Sequence, residues 1–190
     1  MNETLKLLTS RRSAKPMMLR APGPSAQEID TILTCASRVP DHKMVEPWRF
    51  IIFEGDARRR LGEILAEIVQ REEQEPPSEA RLETERNRFV HAPLVIGVVS
   101  HVKPTPGAPE LEQVLSCGAA TFSLCLAANA LGYGSCWLTG WAAFSPGVAS
   151  ALGLGLGERI AGFVHIGTAT ERQPERKRPD LAAVATRWTG

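Results

Sequence analysis

The apolar positions divide the chain into short helical and strand-like stretches. Leu5 and Leu8 share one face of a helix expected over residues 2–10, with Asn2 placed to cap its start. Pro16, Pro22, Gly23 and Pro24 predict extended loop. Ser25-Ala26-Gln27-Glu28 has capping-box spacing, and Ile29, Ile32, Leu33 and Ala36 follow at helical intervals, so a helix is expected over about 25–37. The stretch Arg38–Phe50 then carries Pro40, Pro47, an Asp41-His42-Lys43 triplet and Trp48, and reads as a loop entering a strand at Phe50–Phe53. Asp56 is expected to cap the next helix, whose apolar stripe is Leu61, Ile64, Leu65 and Ile68. Residues 70–90 alternate in charge and are broken at Pro76-Pro77, which predicts a solvated helix hairpin or a mobile flap.

Leu94–Val99 is an unbroken apolar run, the pattern of a fully buried central strand. Glu110–Leu131 is a long helix, apolar nearly all round, with small residues at Gly118, Ala119 and Ala120; such a helix is central to a core or lies in an oligomer interface. Gly132-Tyr133-Gly134 ends it, Ser135–Gly140 reads as a short strand, and Ser145-Pro146 opens a short helix. Leu152–Gly157 has the wrong glycine spacing for a dinucleotide fingerprint and reads as a turn before the strand Ile160–Thr168. Helices and strands in this order give a mixed α/β sandwich, with a sheet of four or five strands covered by helices.

Composition narrows the function classes. A chain of 190 residues, 43% apolar and 23% charged, is expected to form one globular domain, 1–190. A net charge of +1 supplies no field for nucleic acid or a membrane surface. The first residues lack the apolar core of a signal peptide, and Cys117–Leu131 is interrupted by Thr121, Ser123 and Asn129, so a cytoplasmic protein is expected. Cys35, Cys117, Cys125 and Cys136 form no Cys-x-x-Cys pair and have no histidine at zinc spacing, so free thiols and no metal site are expected, a catalytic thiol being the alternative.

The chain has no Gly-x-Ser-x-Gly elbow, no P-loop and no carboxylate–histidine set for two metals. Two cationic clusters remain, Arg11-Arg12-Ser13 and Arg176-Lys177-Arg178. The first could merely complement a helix dipole and the second merely be solvated. Guanidinium forks and a hydroxyl also suit phosphate. The Asp41–Trp48 loop could be a plain connection with Trp48 filling the core. Together with the Trp137-Leu138-Thr139 bend, these parts suit a protein that holds a phosphorylated cofactor and leaves the chemistry to it.

Arg11-Arg12-Ser13 after a first helix, Pro40 through Pro47-Trp48-Arg49-Phe50, a long apolar helix and then Gly134-x-x-Trp137-x-Thr139-Gly140 resemble the FMN-dependent nitroreductases. The Pro40-Asp41-His42-Lys43 motif is similar to the small single-domain YdjA-like bacterial branch of that family. The resemblance implies an α+β fold with a central mixed sheet, and an intertwined homodimer with FMN at the subunit interface. It implies hydride transfer from NAD(P)H through flavin to a nitro compound, a quinone or a similar small acceptor, with no catalytic side chain. By position, Arg11, Arg12 and Ser13 would contact the FMN phosphate, ribityl chain or pyrimidine edge. Arg38 and His42 would reach the same flavin from the partner subunit. Trp137, Leu138 and Thr139 would line the ring, and Arg178, with Arg176, would hold the phosphate. Met44 and Glu46 depart from the Asn and Gln of many relatives, Leu138 is apolar where a relative can be polar, and Lys177 could stand in for Arg178. Two alternatives are a different flavin reaction on the same fold, such as dehalogenation or flavin fragmentation, and a flavin-binding protein without turnover.

Overall fold

The computed structural model describes residues 2–190. Helix α1 (Glu3–Ser10) starts where Asn2 accepts a hydrogen bond from the Leu5 N–H. A two-residue strand, β1 (Leu19–Arg20), precedes α2 (Ala26–Ala36), and both arms of the Ser25–Glu28 capping box are formed. Strand β2 (Trp48–Glu54) begins earlier than the apolar run predicts: Trp48 is its first residue and packs half-buried beside the cluster around Ile32 and Ile96. Trp48 thus packs at the edge of that core without being fully buried.

Helix α3 (Asp56–Glu72) differs from expectation at its start. Gly55, at φ +50°, is the N-cap, and Asp56 sits in the first turn, where it pairs with Arg59 instead of capping. Helix α4 (Glu79–Arg86) is capped by Ser78 and packs on α3, so the charged segment is a helix hairpin. Next come β3 (Leu94–His101), α5 (Glu110–Ala130), β4 (Gly134–Leu138) and α6 (Pro146–Ala151), the last with Ser145 as N-cap and Pro146 at its first position. The chain closes with β5 (Glu158–Ala169) and a short α7 (Leu181–Val184).

All pairings among the described strands are antiparallel: β2 with β3, and β5 with β1, β3 and β4. The connections explain this. The hairpin of α3 and α4 returns the chain to the end of the sheet it left, so β3 runs back along β2. A single helix, α5, joins β3 to β4 and sends them in the same direction, but β5 lies between them and opposes both. Within one chain the parallel members expected of a mixed sheet are thus never neighbours. The helix-covered α+β sheet itself is as expected.

Alternation along the strands feeds two cores. Phe53, Val95 and Phe163 face Leu61, Leu65 and Ile68 of α3. Ile96, Val98 and Val164 face Ile29 and Ile32 of α2 and Leu124 of α5. Helices therefore cover both faces of the sheet. By length and composition α5 could cross a membrane, but it packs on α2 and the sheet.

The inward face of α5 buries Gln113, Ser116 and Thr121 among Cys117, Ala120, Leu124 and Ala128, while Leu111 (68%), Val114 (43%), Leu115 (62%) and Phe122 (42%) are exposed on the outer face beside Glu110 and Glu112. The buried polar groups are satisfied locally. Gln113 bonds the carbonyls of Lys103 and Ala108, Ser116 bonds Pro40 O, and Thr121 bonds Cys117 O. Among the described residues the outer apolar stripe stays largely uncovered, Phe122 alone lying under Arg11.

Two charge clusters brace the periphery. Glu85 is fully buried and accepts from Arg81 and Arg88, whose guanidiniums lie 5.7 and 6.0 Å from the Trp141 ring. Burial alone would raise the Glu85 carboxyl, but the two arginines outweigh it and hold it below its ordinary range. Glu85→Gln leaves two cations facing a neutral amide. Both arginines keep 30% of their side-chain surface in contact with solvent, so the expected loss is about 3 kcal/mol, at the low end for a broken buried pair, and is read as a Tm fall of roughly 6–12 °C.

At the other end of the sheet, Glu158 accepts from Arg49 Nε at 2.6 Å and Nη2 at 2.7 Å, and the Arg49 hydrogen bonds bring its pKa from 4.5 to about 2. A carboxyl depressed by folding stabilises the fold above its unfolded value, and that stability is lost as pH falls from 4.5 towards about 2. Urea unfolding followed across that window should show a shallower pH dependence in Glu158→Gln than in the parent.

Candidate functional site

The two cationic clusters, far apart in sequence, meet. Arg11 is the C-cap residue of α1, and its carbonyl accepts from Arg178 Nη2 at 3.4 Å. Arg12 donates to the Pro174 carbonyl. Arg11 Nη2 also donates to Ser13 Oγ at 3.3 Å, and its guanidinium lies 5.7 Å above the Phe122 ring of α5. Arg11 Nε is buried and has no hydrogen-bond partner. Arg58 Nε, Asn129 Oδ1, Trp141 Nε1 and His165 Nδ1 share that status among the described residues.

Of the three C-terminal cations, Arg178 is the one bonded to this cluster. Arg176 touches it through its backbone N–H, which donates to Glu175 Oε1 at 2.9 Å. Glu175 is a further member of the cluster, outside the expected set. Its carboxylate also accepts from Arg178 Nε at 3.0 Å. The Arg176 N–H, followed by the nearby arginines, lowers the Glu175 pKa. The signal was present: Glu175 stands three residues before Arg178.

Strand β4 lies alongside. The Ala14 N–H donates to Ser135 O at 3.0 Å, so the segment after Arg11–Ser13 runs beside the strand that carries Trp137 and Leu138. Trp137 crosses β5 where Gly162 leaves room. A Cβ there would sit 2.1 Å from Trp137 Nε1, and that N–H instead donates to Ala161 O at 3.1 Å. Trp137 and Leu138 stay 39% and 42% exposed.

Leu138 and Thr139 open onto a cavity of about 190 Å³ lined also by Pro16, Asn87, Arg88, His91 and His165. Asn87, Arg88 and His91 lie at the end of the charged hairpin and His165 on β5, and no local motif ties them together. His165 is buried and stacks on Phe89 at 5.6 Å, its Nδ1 without a partner. Burial, with Arg88 and His91 nearby, pushes its pKa down to about 4, so the cavity floor is a neutral imidazole.

Arg38 and His42 stand apart from all this. Arg38 lies exposed just past the end of α2, beside Ser37, Thr34 and Asp30. His42 Nδ1 is 2.6 Å from Glu112 Oε2, in the first turn of α5. Phe122, under Arg11, is ten residues further along that helix, roughly 15 Å at 1.5 Å per residue.

The loop carrying His42 is strained: Lys43, Met44 and Glu46 have φ of 63°, 52° and 50°. It is also tightly held. Asp41 accepts from the Val45 and Glu46 N–H groups at 3.1 and 2.8 Å. Lys43 Nζ donates to Pro106 O at 2.6 Å, and Lys103 Nζ to Val45 O at 2.7 Å. Met44 at its tip is 85% exposed.

One chain thus carries two groups of expected flavin contacts: Arg11, Arg12, Ser13, Trp137, Leu138, Thr139 and Arg178 near one another, and Arg38 with His42 beyond the far end of α5. The cavity beside Thr139 is smaller than the roughly 300–1,000 Å³ of an ordinary ligand site.

The sequence profile of the nitroreductase family matches residues 8–168. The chain is 34% identical over 166 residues to YdjA of Escherichia coli strain K12, whose name assigns it an inferred NAD(P)H nitroreductase activity; the match covers 87% of this chain and 88% of that one. A protein of Haemophilus influenzae, named for the same inferred activity, is 36% identical over 172 residues, 90% of each chain. Among solved structures, a nitroreductase-like family protein from Bacillus cereus superposes with a TM-score of 0.85 at 22% identity, covering 100% of this chain and 98% of that one. A nitroreductase with bound FMN from Bacteroides fragilis gives 0.73 at 20% identity, with both chains fully covered. Taken with the meeting of the arginine clusters beside the Trp137 strand, these matches establish that the chain belongs to the nitroreductase family.

Proposed function

We propose that this chain is a cytoplasmic, FMN-dependent NAD(P)H oxidoreductase. It would act as a homodimer of one FMN-binding domain per chain, passing hydride from NAD(P)H through flavin to nitroaromatic compounds, quinones or similar small acceptors. The observation that carries the reading is the convergence of Arg11, Arg12, Ser13 and Arg178 at the edge of β4, with Arg11 Nε buried and unpaired. A phosphate dianion needs several charged donors to leave water, and these are such donors. The exposed faces of Trp137 and Leu138 suit a flat ring. The names of the relatives, which include NAD(P)H, and the FMN-bound structural relative support the same reading.

Bound FMN would supply two-electron hydride chemistry; the chain would supply grip, orientation and charge. Arg12 and Ser13, with Arg11 and Arg178, would hold the phosphate end, and Glu175 would yield Arg178 to it. Trp137, Leu138 and Thr139 would lie along the ring and keep bulk water from one face. A cation near the pyrimidine edge would favour the charge that reduction places there.

The second copy follows from α5. Leu111, Leu115, Gly118 and Phe122 recur along its outer face, an apolar stripe left open except where Arg11 lies over Phe122. His42–Glu112 and Arg11–Phe122 flank that stripe, one at each end. A two-fold axis near residue 117, midway between 112 and 122, would bring Arg38 and His42 of each copy towards the other's Arg11 and β4. Gly118 lies beside that axis, and a Cβ there meets nothing within 4 Å in one chain.

Two experiments test this. Protein loaded with excess FMN should be yellow with about one flavin per chain, and NADH or NADPH should bleach it until menadione is added. Arg11→Ala and His42→Ala, each impaired alone, should on mixing recover about a quarter of the parental activity, since half the dimers are mixed and each holds one intact site. No recovery in verified mixed dimers counts against sharing. Separately, Gly118→Leu should keep its helical circular dichroism yet elute as a monomer that has lost flavin. A stable yellow dimer of that variant would remove α5 from the interface.

A further inference from the structure

His42 and Glu112 form an imidazole–carboxylate pair between two elements, a loop and the first turn of α5, 2.6 Å apart and each about half exposed (52% and 49%). The loop holding His42 has three non-glycine residues at positive φ. Such strain persists only where surrounding bonds over-determine it, and it clusters where a side chain must be presented in one place. Here the bonds are those of Asp41, Lys43 and Lys103, to which Ser116 Oγ adds one to Pro40 O at 2.6 Å. Asp41 and Lys43 on the loop and Lys103 beyond β3 are therefore committed to backbone groups. Glu112 is the carboxylate that engages the imidazole. It takes Nδ1, which leaves Nε2 for whatever lies beyond the loop.

The geometry points to His42, oriented by Glu112, as the proton donor to the electron acceptor. This rests on the oxidoreductase reading and its shared site. A quinone accepting hydride gains two electrons and one hydrogen from the reduced cofactor, and needs one further proton to become the hydroquinone. The imidazolium Nε2–H supplies that proton, and the neutral ring is recharged from solvent. Glu112 changes no bond. It fixes Nδ1–H and offsets the imidazolium charge, as an orienting carboxylate does for a catalytic histidine. Glu112 is thus a positioning residue. Its place at the rim of the bare stripe puts the pair where a second copy would bring its Trp137 strand.

The test uses an acceptor that takes no proton. Holoprotein pre-reduced with NADH is mixed in stopped flow with menadione or with ferricyanide. Glu112→Gln should lower the ratio of the menadione rate to the ferricyanide rate by about tenfold, below the 10²–10⁴ of a proton donor itself because the imidazole remains. In flavin-free protein at alkaline pH, ¹⁵N spectra should show His42 as the Nδ1–H tautomer, and Glu112→Ala should return it towards Nε2–H. FMN fluorescence quenching separates the two claims. Absence of FMN binding overturns the oxidoreductase reading and this proposal with it. Flavin that binds and is reduced, with an unchanged acceptor ratio, overturns the proposal alone. So does a His42 already in the Nε2–H form.

Discussion

The hydrogen-bond ladder of β5 is the constraint on which the rest of this structure depends. Its twelve residues pair with β1, β3 and β4. Each pairing fixes something that matters at the site. Pairing with β4 lays Trp137 across Gly162, where only the missing Cβ makes room. Pairing with β1 draws Leu19 and Arg20 alongside Thr168 and Ala169, and so returns the chain after α1 to the place where β5 ends. From that end the last residues need travel only a short way to set Pro174 and Arg178 against Arg12 and Arg11. Because side chains alternate along a strand, a slip of one residue in this ladder would exchange the two cores and turn Trp137 to the other face.

Charge is distributed by the same logic of burial and compensation. Glu85 is buried and ionised because two arginines meet it, with Trp141 beside both. His165 is neutral chiefly because burial disfavours its charged form, with Arg88 and His91 nearby adding to the effect. The Arg11 cluster is left short of partners, as are Arg58 Nε and Trp141 Nε1 elsewhere. Glu175 neutralises part of it, and one guanidinium nitrogen of Arg11 remains unpaired out of water. What sets the Arg11 cluster apart is its concentration of cations, with Arg11, Arg12 and Arg178 gathered around one carboxylate, Glu175.

Local signals carried much of the fold. The Ser25–Glu28 capping box, the Ser145-Pro146 start and the apolar run at Leu94 each act within a few residues, and each produced the expected element. Where the chain departed from expectation, tertiary packing or backbone geometry decided. Gly55 took the cap from Asp56 by adopting a positive φ. Trp48 and Arg49 joined β2 because β3 offered partners at Ser100 and Val99. The arginine clusters were legible as residue types, but their meeting was not, since it depends on where β5 ends. The Asn87–His91 wall of the cavity was hidden because it depends on how the α3–α4 hairpin packs against the sheet. The outward-facing apolar stripe of α5 was half legible: its composition showed in the sequence, whereas which face would be left bare depended on what α2 and the sheet chose to cover.

Met44 is a residue at odds with its own surroundings. A long apolar side chain sits 85% exposed at φ 52°, a conformation that glycine or asparagine would adopt more easily. Neither packing nor backbone preference accounts for methionine there. Glycine at this position would relax the turn, yet it would also loosen a loop whose neighbours spend several hydrogen bonds holding it rigid. The side chain's flexible thioether is suited to flat, varied surfaces. A drift to glycine, asparagine or lysine across otherwise similar sequences would show that this tip is free to vary. Retention of a bulky apolar group would mark it as a selected contact with material outside the polypeptide that bears it.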